Sequence, residues 1–241
     1  MSEFLYILLL ATLPALGNFA GGILSEFVTF SQRNLSMALH AAAGILIAVV
    51  GVEILPAAIK LQPTWVIILS FFVGGVFFIL IDSVQDHLQE KGGNSESGSW
   101  AIFLGVMVDL FGDGLLIGSG SAISSSLGLF LALAQVTADI PGGFASMGTF
   151  KSEGFSRRSR ILLAASFTLP VLLSATLGYW LLRGQSELLK YAILTFTAGM
   201  LTSITVEEIM PLAHRGKESR LAMLCFLLGF TVFTTLSVYL K

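Results

Sequence analysis

The stretch AGILIAVVGVEILPAA, residues 43–58, has a second, similar copy in this chain of 241 residues. Its second copy, AGMLTSITVEEIMPLA, begins 155 positions later and covers residues 198–213. The copies share the opening Ala-Gly, a glutamate three residues before a proline, and the closing alanine. Further matches flank them: Phe71 and Gly74 with Phe226 and Gly229, and Leu13-Pro14 with Leu169-Pro170. The chain is therefore predicted to contain a repeated three-span unit, the alternative being chance similarity between apolar helices.

The composition places these segments in a lipid bilayer. The chain is 55% hydrophobic and 12% charged, with a mean hydropathy of +0.87, whereas a soluble domain is about 25% charged. A bilayer core of about 30 Å needs roughly 20 apolar residues per helix, because backbone polar groups must bond within the helix. Eight stretches qualify, and they predict one all-α transmembrane domain over residues 1–241: about 4–24, 36–58, 64–85, 100–124, 127–150, 160–182, 188–213 and 219–240.

Lysine and arginine placement predicts the orientation of these spans. Nine of these residues fall on one side and four on the other: Arg33, Lys91, Lys151, Arg157, Arg158, Arg160, Arg215, Lys217 and Arg220, against Lys60, Arg183, Lys190 and Lys241. The positive-inside tendency then puts both termini outside and the longest polar run, Asp86 to Ser99, inside. The two repeat copies enter the membrane from opposite sides, which predicts a 3+2+3 arrangement with inverted repeats, a common construction in secondary transporters.

Carboxylates inside the spans mark a candidate site, because a buried charge is costly unless it faces a cavity or a partner. Asp109 and Asp113 are four residues apart and share one face of the fourth span, and Asp139 lies in the fifth. Facing carboxylates repel each other and call for a cation or a proton. We predict an oxygen-ligand metal site formed by Asp109, Asp113 and Asp139, with Gln135 and Ser119 as neutral oxygen donors. The alternative is a set of packing contacts to hydroxyls and backbone.

The fifth span carries the sequence QVTADIPGGFASM over residues 135–147. Pro141 and the two glycines after it are predicted to break this helix and to free carbonyl oxygens next to the carboxylates.

Three further carboxylates are secondary candidates for the ion pathway, whereas the three histidines are not. Glu53 and Glu208 occupy equivalent repeat positions, which predicts a shared scaffold or gate role. Glu207 has no acidic counterpart in the first copy and is the better candidate for the ion pathway. The histidines are interpreted as polar surface or interface residues near span ends or in a loop, not as ligands: His40, His87 and His214.

Several function classes are excluded. The net charge of −2 without a basic stripe argues against nucleic acid as a partner. The chain has neither HExxH nor GxSxG, so an enzyme is not expected. No cofactor is expected beyond a transported ion. Expected partners are a divalent metal ion and the lipid bilayer, with a homodimer left open. The first span lacks a preceding Lys or Arg and is interpreted as retained, in a prokaryotic cytoplasmic membrane.

The chain resembles the ZIP (Zrt/Irt-like) family of divalent metal transporters along nearly its whole length. The most specific segments are DGLLIG, residues 113–118, similar to the EGLAIG-type segment of the family, and DIPGGF, residues 139–144, similar to its HEIPxE or DxPEG patterns. The resemblance implies movement of Zn²⁺, Fe²⁺ or Mn²⁺ toward the cytoplasm by an elevator-like or rocking motion. It also implies a metal site on the fourth and fifth spans.

The site motifs depart from the family pattern. Aligned with HNxPEG, this chain has Asp109 at the histidine, Leu110 at the asparagine, Gly112 at the proline and Asp113 at the glutamate; a second register puts Asp109 at the asparagine. In the fifth span Ala138 stands where His or Gln is common, and Gly142 replaces the second acidic or histidine ligand. An all-oxygen site predicts a shift from Zn²⁺ toward Mn²⁺, Fe²⁺ or Mg²⁺.

The missing imidazoles leave two other functions open. One is a ZIP-like metal sensor or partner subunit that no longer transports. The other is a transporter of a different solute that uses the carboxylates as a proton relay.

Overall fold

A computed structural model describes residues 3–28, 31–92, 95–214 and 220–239, of which residues 85–92 and 95–102 are described by their backbone alone. In this part of the chain eight helices are long and apolar enough to cross a membrane, as predicted. They are α1 Glu3–Phe27, α2 Gln32–Ala58, α3 Thr64–Gly92, α4 Ser95–Ile123, α5 Ser125–Ser152, α6 Arg157–Leu182, α7 Glu187–Ala213 and α8 Arg220–Tyr239.

Two helix boundaries differ from the prediction. The polar run Asp86–Ser99 is mostly helical rather than a loop, since α3 continues to Gly92 and α4 starts at Ser95. The serine-rich stretch between the fourth and fifth spans contains a single non-helical residue, Ser124. Its side chain accepts a hydrogen bond from the Leu127 backbone N–H at 3.2 Å, so it caps α5 and separates this helix from α4.

Both repeat copies contain the same backbone irregularity. A π-helical segment interrupts α2 at Val49–Ile54 and α7 at Thr205–Ile209, and a short α-helical turn with a proline near its start follows each segment. Proline lacks a backbone N–H and its ring clashes with the carbonyl four residues earlier. The wider π turn accommodates this defect within a continuous helix. The sequence repeat is therefore also a repeat of backbone conformation.

The repeat also governs which helices touch. Helix α2 packs on α8 and α3 packs on α7, and the two contacts use equivalent residues. A Cβ atom on Gly44 would overlap the backbone carbonyl of Phe226, and one on Gly199 would overlap that of Phe71. The same relation holds for Gly74 against Phe196 and Gly229 against Ala41. Small residues let the two backbones of each pair approach closely, as is usual in membrane helix packing.

Substituting Val at Gly44 or Gly199 is expected to lower the stability of the protein by about 1–3 kcal/mol or more, because the new side chain has to displace a backbone carbonyl. Gly51→Val is the matched control, since no described atom lies within 4 Å of a Cβ placed there. Thermal unfolding in detergent micelles measures the difference. Unchanged stability for either repeat variant would contradict the equivalence of the two helix contacts.

The helices form two bundles with the candidate site between them. In the first, α1 packs on α5, α4 packs on α5 and α6, and the buried Arg160 guanidinium donates to both carboxylate oxygens of Glu26 at 2.7 Å. The second contains the pairs α2–α8 and α3–α7. The bundles meet where α4 contacts α7 and α5 contacts α2. We call the side where α1 ends and α2 begins the basic side, because Arg33, Lys151 and Arg157 lie there.

Candidate metal site

The three aspartates of the predicted metal site meet at the contact between α4 and α5. Asp109, Asp113 and Asp139 each offer one carboxylate oxygen, and these oxygens lie within 4.8 Å of one another. Asp113 and Asp139 are 3% and 5% exposed, and Asp109 is half-buried. At such a distance two unit charges repel by about 3 kcal/mol even with an effective dielectric constant of about 20. The cluster therefore needs a proton or a cation to be stable.

A cavity of about 90 Å³ adjoins the three carboxylates. Its other polar lining residues come from three helices: Asn18 on α1, Gln135 and Ser146 on α5, and Glu208 on α7. No His or Cys is among the described residues that line it. A cavity of this size holds an ion together with a few water molecules. Its donor set is made of oxygen atoms, which suits a hard divalent cation.

Two oxygen atoms at this cavity are buried without a hydrogen-bond partner in the described structure. They are Oδ2 of Asp139 and the amide oxygen Oε1 of Gln135. Both atoms are acceptors, so only a donor or a cation can satisfy them. Because buried polar atoms are nearly always paired in folded proteins, the two orphaned oxygens indicate a missing positively charged or donating ligand.

The cavity extends from the carboxylates toward the basic side of the protein. Leu39 near the start of α2, Ser146 near the end of α5 and Leu212 at the end of α7 line it there. In the opposite direction the space between the bundles is filled by a buried apolar cluster that includes Ile117, Leu131 and Leu194. The site therefore lies on the basic side of this apolar cluster.

The secondary candidates separate into cavity residues and packing residues. Gln135 and Glu208 line the cavity, whereas Ser119, Glu53 and Glu207 do not. Ser119 is fully buried and donates to the Leu116 carbonyl at 3.1 Å. Glu53 accepts a 2.5 Å hydrogen bond from Ser237 of α8. Glu53 and Glu208 thus have different surroundings despite the repeat, and Glu207, which the sequence favoured for the pathway, is exposed outside the cavity.

The predicted break in the fifth span is wrong. Helix α5 runs without interruption from Ser125 to Ser152 with Pro141 inside it. The adjacent Gly143 serves helix packing, because a Cβ there would overlap the backbone of Asn18 on α1. Gly142 is different: it lines the cavity, and no described atom lies within 4 Å of a Cβ placed on it. The helix is therefore not broken, and Pro141 removes only the hydrogen bond to the carbonyl of Thr137, four residues earlier.

Sequence reasoning missed Asn18 and Ser146 as cavity residues. Asn18 is a lone amide within the apolar first span. A polar residue in an apolar helix often faces a neighbouring helix, and this could have identified Asn18 as a candidate. Ser146 follows Gln135, Asp139 and Gly142 at helical spacing on α5, so the helix periodicity could have placed it on the same face.

An eight-helix membrane fold with inverted repeats around an acidic cavity defines a polytopic transport protein. The family model described as ZIP Zinc transporter matches residues 81–237, and the chain belongs to the ZIP family. This membership confirms the resemblance drawn from the span-four and span-five motifs. It also supports divalent metal transport and an integral membrane location.

Bacterial relatives match most of the chain. A protein of Enterobacter sp. (strain 638) named Zinc transporter ZupT is 29% identical over 221 residues, covering 86% of each chain. Proteins of the same name from Shigella dysenteriae serotype 1 (strain Sd197) and Salmonella paratyphi A (strain ATCC 9150 / SARB42) are 28% and 27% identical, covering 86% and 76% of each chain.

Proposed function

We propose that this protein carries a divalent metal ion across the membrane through a site formed by Asp109, Asp113 and Asp139. The observation that carries the proposal is the meeting of three carboxylate oxygens within 4.8 Å beside two orphaned acceptor oxygens. A divalent cation would relieve the repulsion among the carboxylates and satisfy both acceptors at once. Gln135 supplies a neutral ligand, and Glu208 faces the same cavity from α7.

The metal preference follows from the ligand atoms. Every polar atom offered to the cavity by its described lining side chains is an oxygen or an amide nitrogen. Carboxylate and carbonyl oxygens suit Mn²⁺ and Mg²⁺, and Fe²⁺ accepts both oxygen and imidazole ligands, whereas imidazole and thiolate ligands favour Zn²⁺. We therefore propose that Mn²⁺ or Fe²⁺ is preferred, although the bacterial relatives carry the name zinc transporter.

The direction of transport is the one that the family resemblance implies, and the orientation of the cavity follows from the charge on the basic side. Positive residues collect on the cytoplasmic side of membrane proteins, and the cavity extends toward the side that carries Arg33, Lys151 and Arg157. The proposal is uptake into the cytoplasm of a bacterium, with both termini outside and the cavity facing inward. Of the predicted charges on the two sides, Arg215, Lys217 and Lys241 lie outside the described residues, and Lys91 is described by its backbone alone.

Movement of one bundle against the other would expose the site to the opposite side. The aspartates belong to α4 and α5 of the first bundle, while Leu201, Ile204 and Glu208 of the second bundle complete the cavity wall. A shift of the first bundle toward the outer side would separate the aspartates from these α7 residues and carry them past Leu194 and the other members of the apolar cluster that belong to the second bundle. This motion is of the elevator-like or rocking kind implied by the family resemblance.

Uptake into liposomes that contain the purified protein tests the proposal. Mn²⁺, Fe²⁺ and Zn²⁺ are compared side by side, with the double variant Asp109→Asn/Asp139→Asn as control. We expect Mn²⁺ and Fe²⁺ to enter, and the double variant to abolish this uptake. Zn²⁺ that outcompetes Mn²⁺ by orders of magnitude would contradict the oxygen-site argument. Metal binding without uptake would instead favour a sensor, and proton-driven flux without a metal requirement would favour a proton relay.

A further inference from the structure

Two histidines from different repeat copies meet outside the carboxylate cavity. The rings of His40 on α2 and His214, directly after α7, are 4.9 Å apart between centroids and make an angle of 67°. His40 is buried and His214 is exposed. Both line a cavity of about 420 Å³ on the basic side, together with Ser36, Met210 and other residues of α2, α7 and α8. No motif in the sequence joins these histidines, which are 174 positions apart.

Hydrogen bonds determine the tautomer of both rings. Nδ1 of His40 lies 2.8 Å from the Ser36 carbonyl oxygen, and Nδ1 of His214 lies 2.6 Å from the Met210 carbonyl oxygen. A carbonyl oxygen can only accept, so each Nδ1 carries the hydrogen and donates it. The Nε2 atom of each neutral ring then keeps its lone pair. Metal-binding histidines usually show this arrangement, in which a backbone carbonyl orients the ring for coordination through the other nitrogen.

The histidine pair adjoins the end of the carboxylate cavity. Leu39, which lines that cavity, precedes His40, and Leu212, which also lines it, lies two residues before His214. The two cavities are therefore neighbouring spaces on the same two helices. An ion that leaves the three aspartates toward the basic side passes close to both rings.

A positive side chain limits the affinity of such a site. Arg220 at the start of α8 also lines the histidine cavity. Its guanidinium repels a cation, and two imidazoles alone leave most coordination positions to water. The arrangement suits an ion that is held briefly and then released, and it does not suit a permanent structural metal.

We propose that His40 and His214 form a second, low-affinity divalent metal site that receives the ion as it leaves the carboxylate cavity. The relay role rests on the proposed transport function, whereas metal binding by the pair does not. The ligands would be the two Nε2 atoms with water completing the coordination. Imidazole nitrogen favours Zn²⁺, Co²⁺, Ni²⁺ and Fe²⁺ over Mg²⁺, so the pair would differ in preference from the aspartates.

Binding of Co²⁺ to the purified full chain tests the site separately from transport. The Asp109→Asn/Asp139→Asn background removes the carboxylate site, and the absorption spectrum of added Co²⁺ reports the remaining coordination. We expect one weak site whose affinity falls at least tenfold in His214→Gln and in His40→Gln, and remains unchanged in His87→Gln. His214 is exposed, so its variant should fold normally even if the buried His40 variant does not. Equal Co²⁺ binding with and without His214→Gln would overturn the site.

Uptake by the otherwise unaltered protein tests the relay. His214→Gln should lower the maximal rate of Fe²⁺ uptake severalfold, while the concentration for half-maximal uptake, set by the aspartates, changes little. An unchanged maximal rate would overturn the relay role even where Co²⁺ binding is lost. If the unaltered protein transports no metal, the transport proposal fails, and the Co²⁺ comparison still decides whether the histidine pair binds metal.

Discussion

Asp139→Asn is expected to reduce divalent metal uptake by about 100-fold or more. The substitution keeps the size of the side chain but removes one of three negative charges that meet within 4.8 Å. Loss of a residue that only supports a metal ligand typically costs about 10–100-fold in affinity or activity, so loss of a charged ligand should cost at least as much. Initial rates of Mn²⁺ uptake in liposomes, at equal protein incorporation, measure the effect. The same result is expected for Asp113→Asn.

Stability should respond in the opposite direction. Removing one carboxylate relieves mutual repulsion in the metal-free protein, so the unfolding temperature of Asp139→Asn without metal should equal or exceed that of the unaltered protein.

Glu207→Gln is the control for the uptake measurement, because this carboxylate lies in α7 but outside the cavity. A large loss of uptake in Glu207→Gln, or normal uptake in Asp139→Asn, would contradict the assignment of the site.

Gly142→His is expected to shift the metal preference toward Zn²⁺, with the ratio of Zn²⁺ to Mn²⁺ uptake rising about tenfold or more. Gly142 lines the cavity, and a Cβ placed there meets no described atom within 4 Å, so the α5 backbone need not move. The new imidazole would add a nitrogen ligand to an oxygen site, and nitrogen ligands favour Zn²⁺ over Mn²⁺. Competition between the two ions in the liposome assay measures the ratio.

Gly148→His is the matched control for this change. Gly148 lies on the same helix, is also free of described atoms around its Cβ, and is exposed outside the cavity. We expect it to leave the metal preference unchanged. An equal shift in both variants would show that a histidine on α5 alters transport without entering the site. The open space at Gly142 would then not explain the change in metal preference.

Much of the fold could be predicted from the sequence because lipid imposes a local rule. Each span must be apolar for about 20 residues whatever it packs against, so eight helices were visible without knowledge of their contacts. The inverted repeat was visible because its two copies keep Gly44 and Gly199, and Glu53 and Glu208, in the same register. The structure shows why the glycines recur: each lies at an equivalent close contact between two helix backbones, where a side chain would not fit.

The candidate site could be predicted only in part. Asp109, Asp113 and Asp139 stood out because carboxylates in apolar spans are rare and costly, and the structure brings their oxygens together. Interpreting Pro141 and its glycines as a helix break failed because a single lost hydrogen bond is tolerated in a helix that packs closely against α1, with Gly143 at the contact. Asn18 entered the site only because α1 packs on α5, whereas Gly142 and Ser146 follow Asp139 on the same face of one helix.

The sequence by itself determined the number of helices, the repeated unit and the three aspartates, because each follows from the cost of placing local groups in lipid. The tertiary structure decided which side chains share a cavity. Glu208 enters it and Glu207 does not, because successive residues on a helix point about 100° apart and the π segment at Thr205–Ile209 changes the direction in which each one points. His40 and His214 meet only because α2 and α7 pack together, and no local pattern specifies that contact.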